Sequence, residues 1–469
     1  MTLKSSNSPS VLQSPRPSHT GLEEARDRMR SLVEGAVLDD VRLVRLEVKV
    51  PPVQSLDWLS AQEGAPRYYW RDREGRFEMA GLGDAHVIEL RGAARISGAF
   101  EEIRARLPRH ARHARYYGGF RFHFNQEKDV RWHDFKACRF VVPLVEVFRE
   151  AEACVLACTL HGEESRCEAL RILAGMNFNI GSEALPLVAF RDRTDVPTRD
   201  GWRTMVDKAL EAFRRTPLEK VVLARQTSFL ASDQVDPWAL LQRLARETQR
   251  VYLFCFQPDS SRAFLGASPE RLYRREQTDL LSEALAGTRP RSQEPVLDLA
   301  YREELRADEK ELREHRIVVN VIREVLASFC STLQVAPEPD IVELAHCRHL
   351  VTPIQGRLLP QISDDVLLSA LHPTPAVGGK PADAAMRWIL DNEPFERGIY
   401  ASPVGWAGAD GAEFCVGIRS GLVSGRTLAL YAGAGIVAGS DPGREWCELD
   451  AKMAQFLNII SREETDGSE

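Results

Sequence analysis

Two pairs of glutamates carry the first chemical signal in this chain. Glu311 and Glu314 continue a stripe completed by Val318, Val321 and Val325, at i, i+3, i+7, i+10 and i+14, so these acids share an inward helix face with apolar residues. A carboxylate withdrawn from water needs a cation or several hydrogen bonds in compensation. Glu445 and Glu448 repeat the three-residue spacing at the start of a helix that runs through Lys452, Phe456 and Ile460. Brought together by folding, the two pairs would form an all-oxygen site for a hard cation that keeps several waters, and Mg²⁺ suits it best. The same spacing also suits a solvated acidic face with ordinary salt bridges.

Lys220 begins an otherwise apolar strand, Leu218-Glu219-Lys220-Val221-Val222-Leu223, where desolvation would favour a neutral amine able to act as a base. Glu270 follows the turn-like Gly266-Ala267-Ser268-Pro269 and is the complementary acid if burial raises its pKa. A strand-edge charge and a turn residue are the plainer alternatives for the two. In Tyr431-Ala432-Gly433-Ala434-Gly435-Ile436, Gly433 and Gly435 would let backbone N–H groups approach an anion; a bulge or tight turn would use glycine there too.

These groups need elements to position them. Leu22, Ala25, Met29, Leu32 and Val33 recur at helical spacing, and Leu46, Val48 and Val50 then alternate with Arg45, Glu47 and Lys49 in a half-buried strand. Aromatic and β-branched segments around residues 68–70, 120–124 and 140–147 make residues 22–190 an α/β lobe rich in strands. The polar stretch from Arg191 to Thr198 reads as a lobe boundary before a helix that carries Trp202, Val206, Leu210 and Phe213 on one face. Strands are expected over residues 220–225, 251–256 and 265–272, with one long helix over about 303–328. Further strands are expected within residues 411–422 and 427–432, and a final helix over 444–460. Strands and helices mixed without strict alternation predict an α+β fold with a catalytic region over 195–462. Residues 1–21, rich in Ser and Pro, read as a disordered tail.

The chain has 469 residues, 44% hydrophobic and 28% charged, so most of it should fold. A net charge of -7 offers no basic field for nucleic acid or anionic lipid. Nine cysteines lack the paired spacing of a zinc site and read as reduced, mostly buried thiols. No apolar run reaches the length of a membrane span, and the expected location is cytoplasmic.

The order and surroundings of these residues resemble the chorismate-utilising family, over roughly residues 195–460. The marks are Lys220, Gly266 to Glu270, Ala284-Leu285-Ala286-Gly287-Thr288, Glu314-His315-Arg316, His349-Leu350, Leu371 to Ala376, Arg419, the Gly433 and Gly435 run, and the Glu445 to Lys452 helix. Tyr68-Tyr69-Trp70 and Tyr117-Gly118-Gly119-Phe120 extend the likeness into the N-terminal lobe. The resemblance implies a two-lobed fold like that of anthranilate synthase component I, with large, mainly antiparallel sheets flanked by helices. It also makes residues 22–190 integral to the core.

It implies further that Glu314 and Glu448 bind Mg²⁺ directly, with Glu311 and Glu445 acting through water. Gly287, Thr288, His349, Ala376, Tyr400, Arg419, Gly433, Gly435 and Lys452 would hold chorismate. Lys220 would be the base for water attacking C2, and Glu270 would protonate the hydroxyl leaving C4. Within the family, Lys220 points to water rather than ammonia, and Ala286 stands where aminodeoxychorismate synthases carry a nucleophilic lysine. Ala376 resembles isomerase-only members, whereas Tyr400 also resembles salicylate synthases. The expectation is an isochorismate synthase, serving menaquinone or siderophore synthesis and acting as a monomer. A salicylate synthase that goes on to eliminate pyruvate, and a non-catalytic chorismate-binding protein, are the alternatives.

Overall fold

The computed structural model describes residues 19–461, apart from 39–40, 65, 93–94, 108–112, 127–128 and 179–186. Most of the expected N-terminal tail lies outside the described residues. Residues 19–21 already belong to the helix His19–Glu34, which buries Leu22, Ala25, Met29 and Val33.

Among the described residues, twenty strands form one hydrogen-bonded network, and the ladders within it run antiparallel. Helices flank this sheet, giving the α+β architecture that the sequence predicts. Strands of the first 190 residues are stitched into the rest. Arg67–Arg71 pairs on one side with Phe77–Leu90 and on the other with Tyr252–Gln257. Trp70, fully buried on that strand, lies 5.5 Å from the ring of Tyr252 and 6.4 Å from that of Phe254. Arg115–Phe120 pairs in the same way with Pro403–Gly408.

Four expected boundaries shift, three of them for a local reason. The polar stretch from Arg191 to Thr198 is no linker between lobes: Phe190–Val196 is a strand paired with Lys220–Ala231, polar because most of it is exposed. The long helix expected over 303–328 is two helices, Pro295–Ala307 and Glu309–Ala327. They break at extended Asp308, whose side chain accepts hydrogen bonds from the N–H groups of Lys310 and Glu311. The segment 265–272 is likewise two strands, Arg262–Ser268 and Arg271–Glu276, interrupted at Pro269 and Glu270, where proline has no N–H for the ladder. Residues 411–422 also divide, into Gly411–Val416 and the start of Ser420–Ser424.

Two helices carry the acid pairs to the sheet. Glu309–Ala327 packs on the strand Asp279–Pro290, and Pro442–Ser461 packs on Thr427–Val437. No helix among the described residues is long and apolar enough to cross a membrane. All nine cysteines are free, six of them buried.

Candidate active site

The strand Lys220–Ala231 pairs with Thr427–Val437, setting Lys220 opposite Val437, Val222 opposite Gly435 and Ala224 opposite Gly433. Lys220 is fully buried, and its Nζ donates to Glu314 Oε1 at 2.8 Å. The carboxylate partner of Lys220 is thus Glu314, one of the acids of the first pair. Gly433 and Gly435 lie within a regular ladder, not in a turn or bulge, and their missing side chains make room. A Cβ on Gly435 would collide with the Glu314 carboxylate and stand 3.2 Å from Lys220 Cε. One on Gly433 would stand 2.9 Å from the Tyr400 hydroxyl.

The four glutamates do converge from their two helices. Glu311 accepts from the Thr288 N–H at 3.1 Å and meets Arg289 at 3.2 Å. Burial raises its pKa, and the charges of Glu314 and Glu448 raise it further. Burial and then the charge of Glu448 push Glu445 up to about 7, although Lys310 donates to it at 2.9 Å. Glu448 moves the other way: burial opposes its charge, but Lys452, 2.7 Å away, together with Lys310 and a hydrogen bond to Glu445, brings its pKa down. The acids thus repel one another and are held by Lys220, Lys310, Lys452 and Arg289. Among the described residues, no three His, Cys, Asp or Glu side chains form a ready-made group that could hold a metal ion.

Cations and donors gather on a second part of the site. Lys452 Nζ donates to the Gly433 carbonyl at 2.8 Å. Arg419 donates to the Lys452 carbonyl at 3.3 Å and to Cys347 Sγ at 3.3 Å, and its Nη2 lies 3.2 Å from His349 Nε2. His349 Nδ1 is 3.1 Å from both the Gly287 carbonyl and the Thr288 hydroxyl. Glu270, buried beside these groups, is pushed up to about 8, first by burial and then by the charge of Glu283, with Lys220 and Lys452 opposing. It is therefore a protonated acid at neutral pH.

A cavity with about 740 Å³ of atom-free space, part of it open to solvent, joins these parts. Its walls include Glu270, Gly287, Thr288, His349, Ala376, Tyr400, Arg419, Gly433, Gly435 and Lys452, together with Glu311, Glu314 and Glu448. Lys220 and Glu445 stand outside the lining, and each touches an acid that belongs to it. Sequence reasoning missed Tyr431, whose ring stacks on Tyr400 at 5.3 Å, and Cys347 behind the wall. Burial would raise the Cys347 thiol, but Arg419 and then His349 bring it down to about 5. The available signal was spacing: Cys347 lies two residues before His349 on one strand, so both point to the same face. Such a cavity can grip a small polyanion while offering one protonated acid and one lysine for proton transfer.

Comparison with known proteins gives concordant results. The family model described as "Chorismate binding enzyme" matches residues 31–461. Isochorismate synthase 2, chloroplastic, of Arabidopsis thaliana is 34% identical over 458 residues, covering 90% of this chain and 81% of that protein. The solved structure of MenF, the menaquinone-specific isochorismate synthase from Escherichia coli, superimposes with a TM-score of 0.83 at 30% identity. It covers 94% of this chain and 100% of the other. Anthranilate synthase component I from Streptococcus pneumoniae TIGR4 shares the fold, with a TM-score of 0.66 at 21% identity over 81% of this chain and 92% of the other.

Proposed function

The chain belongs to the chorismate-binding enzyme family, and we propose from that premise that it is an isochorismate synthase, adding water at C2 of chorismate and expelling the C4 hydroxyl. The observation that carries the reading is Glu270, a buried carboxyl in the cavity wall that burial pushes up to about 8 and whose charged neighbours include Lys220. Isomerisation by water needs one group to accept a proton and another to donate one, and the two must not neutralise each other beforehand. Pairing of Lys220 with Glu314, rather than with Glu270, meets that condition.

In this mechanism water attacks C2 and gives a proton to Lys220, which acts as the free amine. The ring double bonds shift, the C4–O bond breaks, and Glu270 supplies the proton with which the hydroxyl leaves as water. One water enters and one leaves, so the product is an isomer. Arg419, His349, Lys452 and the N–H groups near Gly287 and Thr288 would hold the substrate's carboxylates, while Ala376 and Tyr400 shape the wall beside the ring.

The donor set fits Mg²⁺. Glu311, Glu314, Glu445 and Glu448 supply only oxygen; Glu311 and Glu445 are raised first by burial and then by the charges of the neighbouring acids, both of which a hard cation would offset. When bound, Mg²⁺ would neutralise the ring carboxylate of chorismate and draw charge from the ring. The test is purified protein with chorismate, with Mg²⁺ or with EDTA, and products resolved by chromatography. Isochorismate formed only with the metal fits the proposal. Salicylate with pyruvate would make the chain a lyase, and binding without turnover would make it a non-catalytic chorismate-binding protein.

A further inference from the structure

The proton donor sits at a break in the sheet. The strands stop at Ser268 and resume at Arg271; at this buried break the Glu270 carbonyl accepts from the Val416 N–H at 3.0 Å and the Glu270 N–H donates to Ser268 Oγ at 3.3 Å, while the Pro269 carbonyl and the Arg271 N–H take side-chain partners. One bidentate ion pair contacts both. Arg73 donates to the Pro269 carbonyl at 2.9 Å and to the two oxygens of Glu283 at 2.5 and 2.8 Å. Glu283 in turn accepts from the Arg271 N–H at 3.1 Å. Adjacent Glu74 adds a second tie, lying 2.7 Å from the Arg271 guanidinium.

Arg73 and Glu74 belong to the turn between the strands Arg67–Arg71 and Phe77–Leu90. That turn is itself tied down, since Asp72 accepts from the Arg76 N–H at 2.7 Å and from the Gly75 N–H at 3.2 Å. It comes from the part of the chain that contributes nothing to the cavity wall. Its reach to the residues flanking Glu270 gives the N-terminal half a place in the chemistry. The charges that face Glu270 are Glu283, Lys220 and Lys452, with the Tyr400 phenol and the Cys415 thiol as its other titratable neighbours.

We propose that Arg73 and Glu283 are positioning residues for the proton donor, through which a turn of the N-terminal half fixes the direction and charge of the Glu270 carboxyl. The inference rests on the reading of Glu270 as the acid. Glu283 carries two functions: its hydrogen bond orients the Glu270 backbone, and its negative charge helps keep the Glu270 proton in place. Arg73 holds Glu283 in the geometry that serves both, which lysine cannot reproduce because it lacks a planar fork of donors.

Steady-state kinetics of the full-length protein with chorismate and Mg²⁺, from acid to alkaline pH, test this on Arg73→Ala, Arg73→Lys, Glu283→Gln and Glu270→Gln. Arg73→Ala should lower kcat by about tenfold or more while KM changes less than about twofold, because the acid is misaimed and substrate contacts remain. Arg73→Lys should recover only part of that loss. Glu283→Gln should move the alkaline limb of kcat to lower pH, since one negative charge facing Glu270 is gone; this variant decides if Arg73→Ala does not fold. Wild-type kcat and an unmoved limb in folded Arg73 and Glu283 variants would overturn the proposal. If Glu270→Gln is inactive in that case, the acid assignment survives and only the positioning role fails. If Glu270→Gln keeps the wild-type rate, the acid assignment fails and the positioning role goes with it.

Discussion

Burial decides what the catalytic side chains can do, and it acts oppositely on stability. Glu270 rises from an ordinary 4.5 to about 8 on folding, so between these values the native protein keeps a proton that the unfolded chain releases. Stability therefore falls as pH rises through that window and levels off above it. Glu270→Gln removes the titration, and melting curves should show a variant whose thermal advantage over the parent grows from pH 5 to pH 8. Its kcat should drop by roughly 10² to 10⁴, the usual worth of a general acid. Replacing Lys220 by Ala should cost a similar factor, yet calorimetry should still detect Mg²⁺-assisted chorismate binding. A variant without the lysine that turned over at the parental rate would remove it from the mechanism. At this scale the sequence was informative wherever an acid or base stood in apolar company, as at Glu311 and Lys220. It was silent on partners: the pairing of Lys220 with Glu314 spans 94 residues, and no local pattern encodes it.

The elements set the spacing of these groups, and their irregularities matter more than their regular stretches. Between Leu305 and Leu312 only Ala307 is apolar, and strong helix formers Glu309, Lys310 and Glu311 follow Asp308, so a polar helix turn and a break look alike there; the side chain folding back onto two N–H groups reveals the break. Asp308→Ala should cost about 1 kcal/mol in urea denaturation, the typical worth of an N-cap, and should weaken Mg²⁺ binding because Glu311 sits in the first turn. The Arg191 to Thr198 stretch misled for a related reason. An edge strand exposed on both faces has a linker's composition, and its pairing with Lys220–Ala231 depends on residues far along the chain. The sequence marks Gly433 and Gly435 for backbone N–H groups near an anion; what stands against them in the fold is side chains, Tyr400 at the first and Glu314 and Lys220 at the second. Gly435→Ala should keep the circular-dichroism spectrum of the parent and lower kcat at least about tenfold, because the new methyl displaces Glu314 and Lys220 together.

At the scale of the molecule, the fold class and the gathering of distant acids were legible, since both follow from alternation and from resemblance along the whole chain. The dependence of one half on the other was legible only in outline. Tyr252–Gln257 and Pro403–Gly408 each take a partner strand from the first 190 residues, and the turn at Arg73 reaches the flanks of Glu270. A fragment starting at residue 195 would expose unpaired strand edges beside Trp406 and Phe254, and should aggregate or show no cooperative melting transition. The most direct check on the chemistry is turnover of chorismate in water enriched with ¹⁸O, followed by mass spectrometry of the product. Attack of solvent at C2 with departure of the original C4 hydroxyl predicts one heavy oxygen in every new isochorismate molecule, located at C2. Isochorismate carrying only the substrate's own oxygen would contradict it.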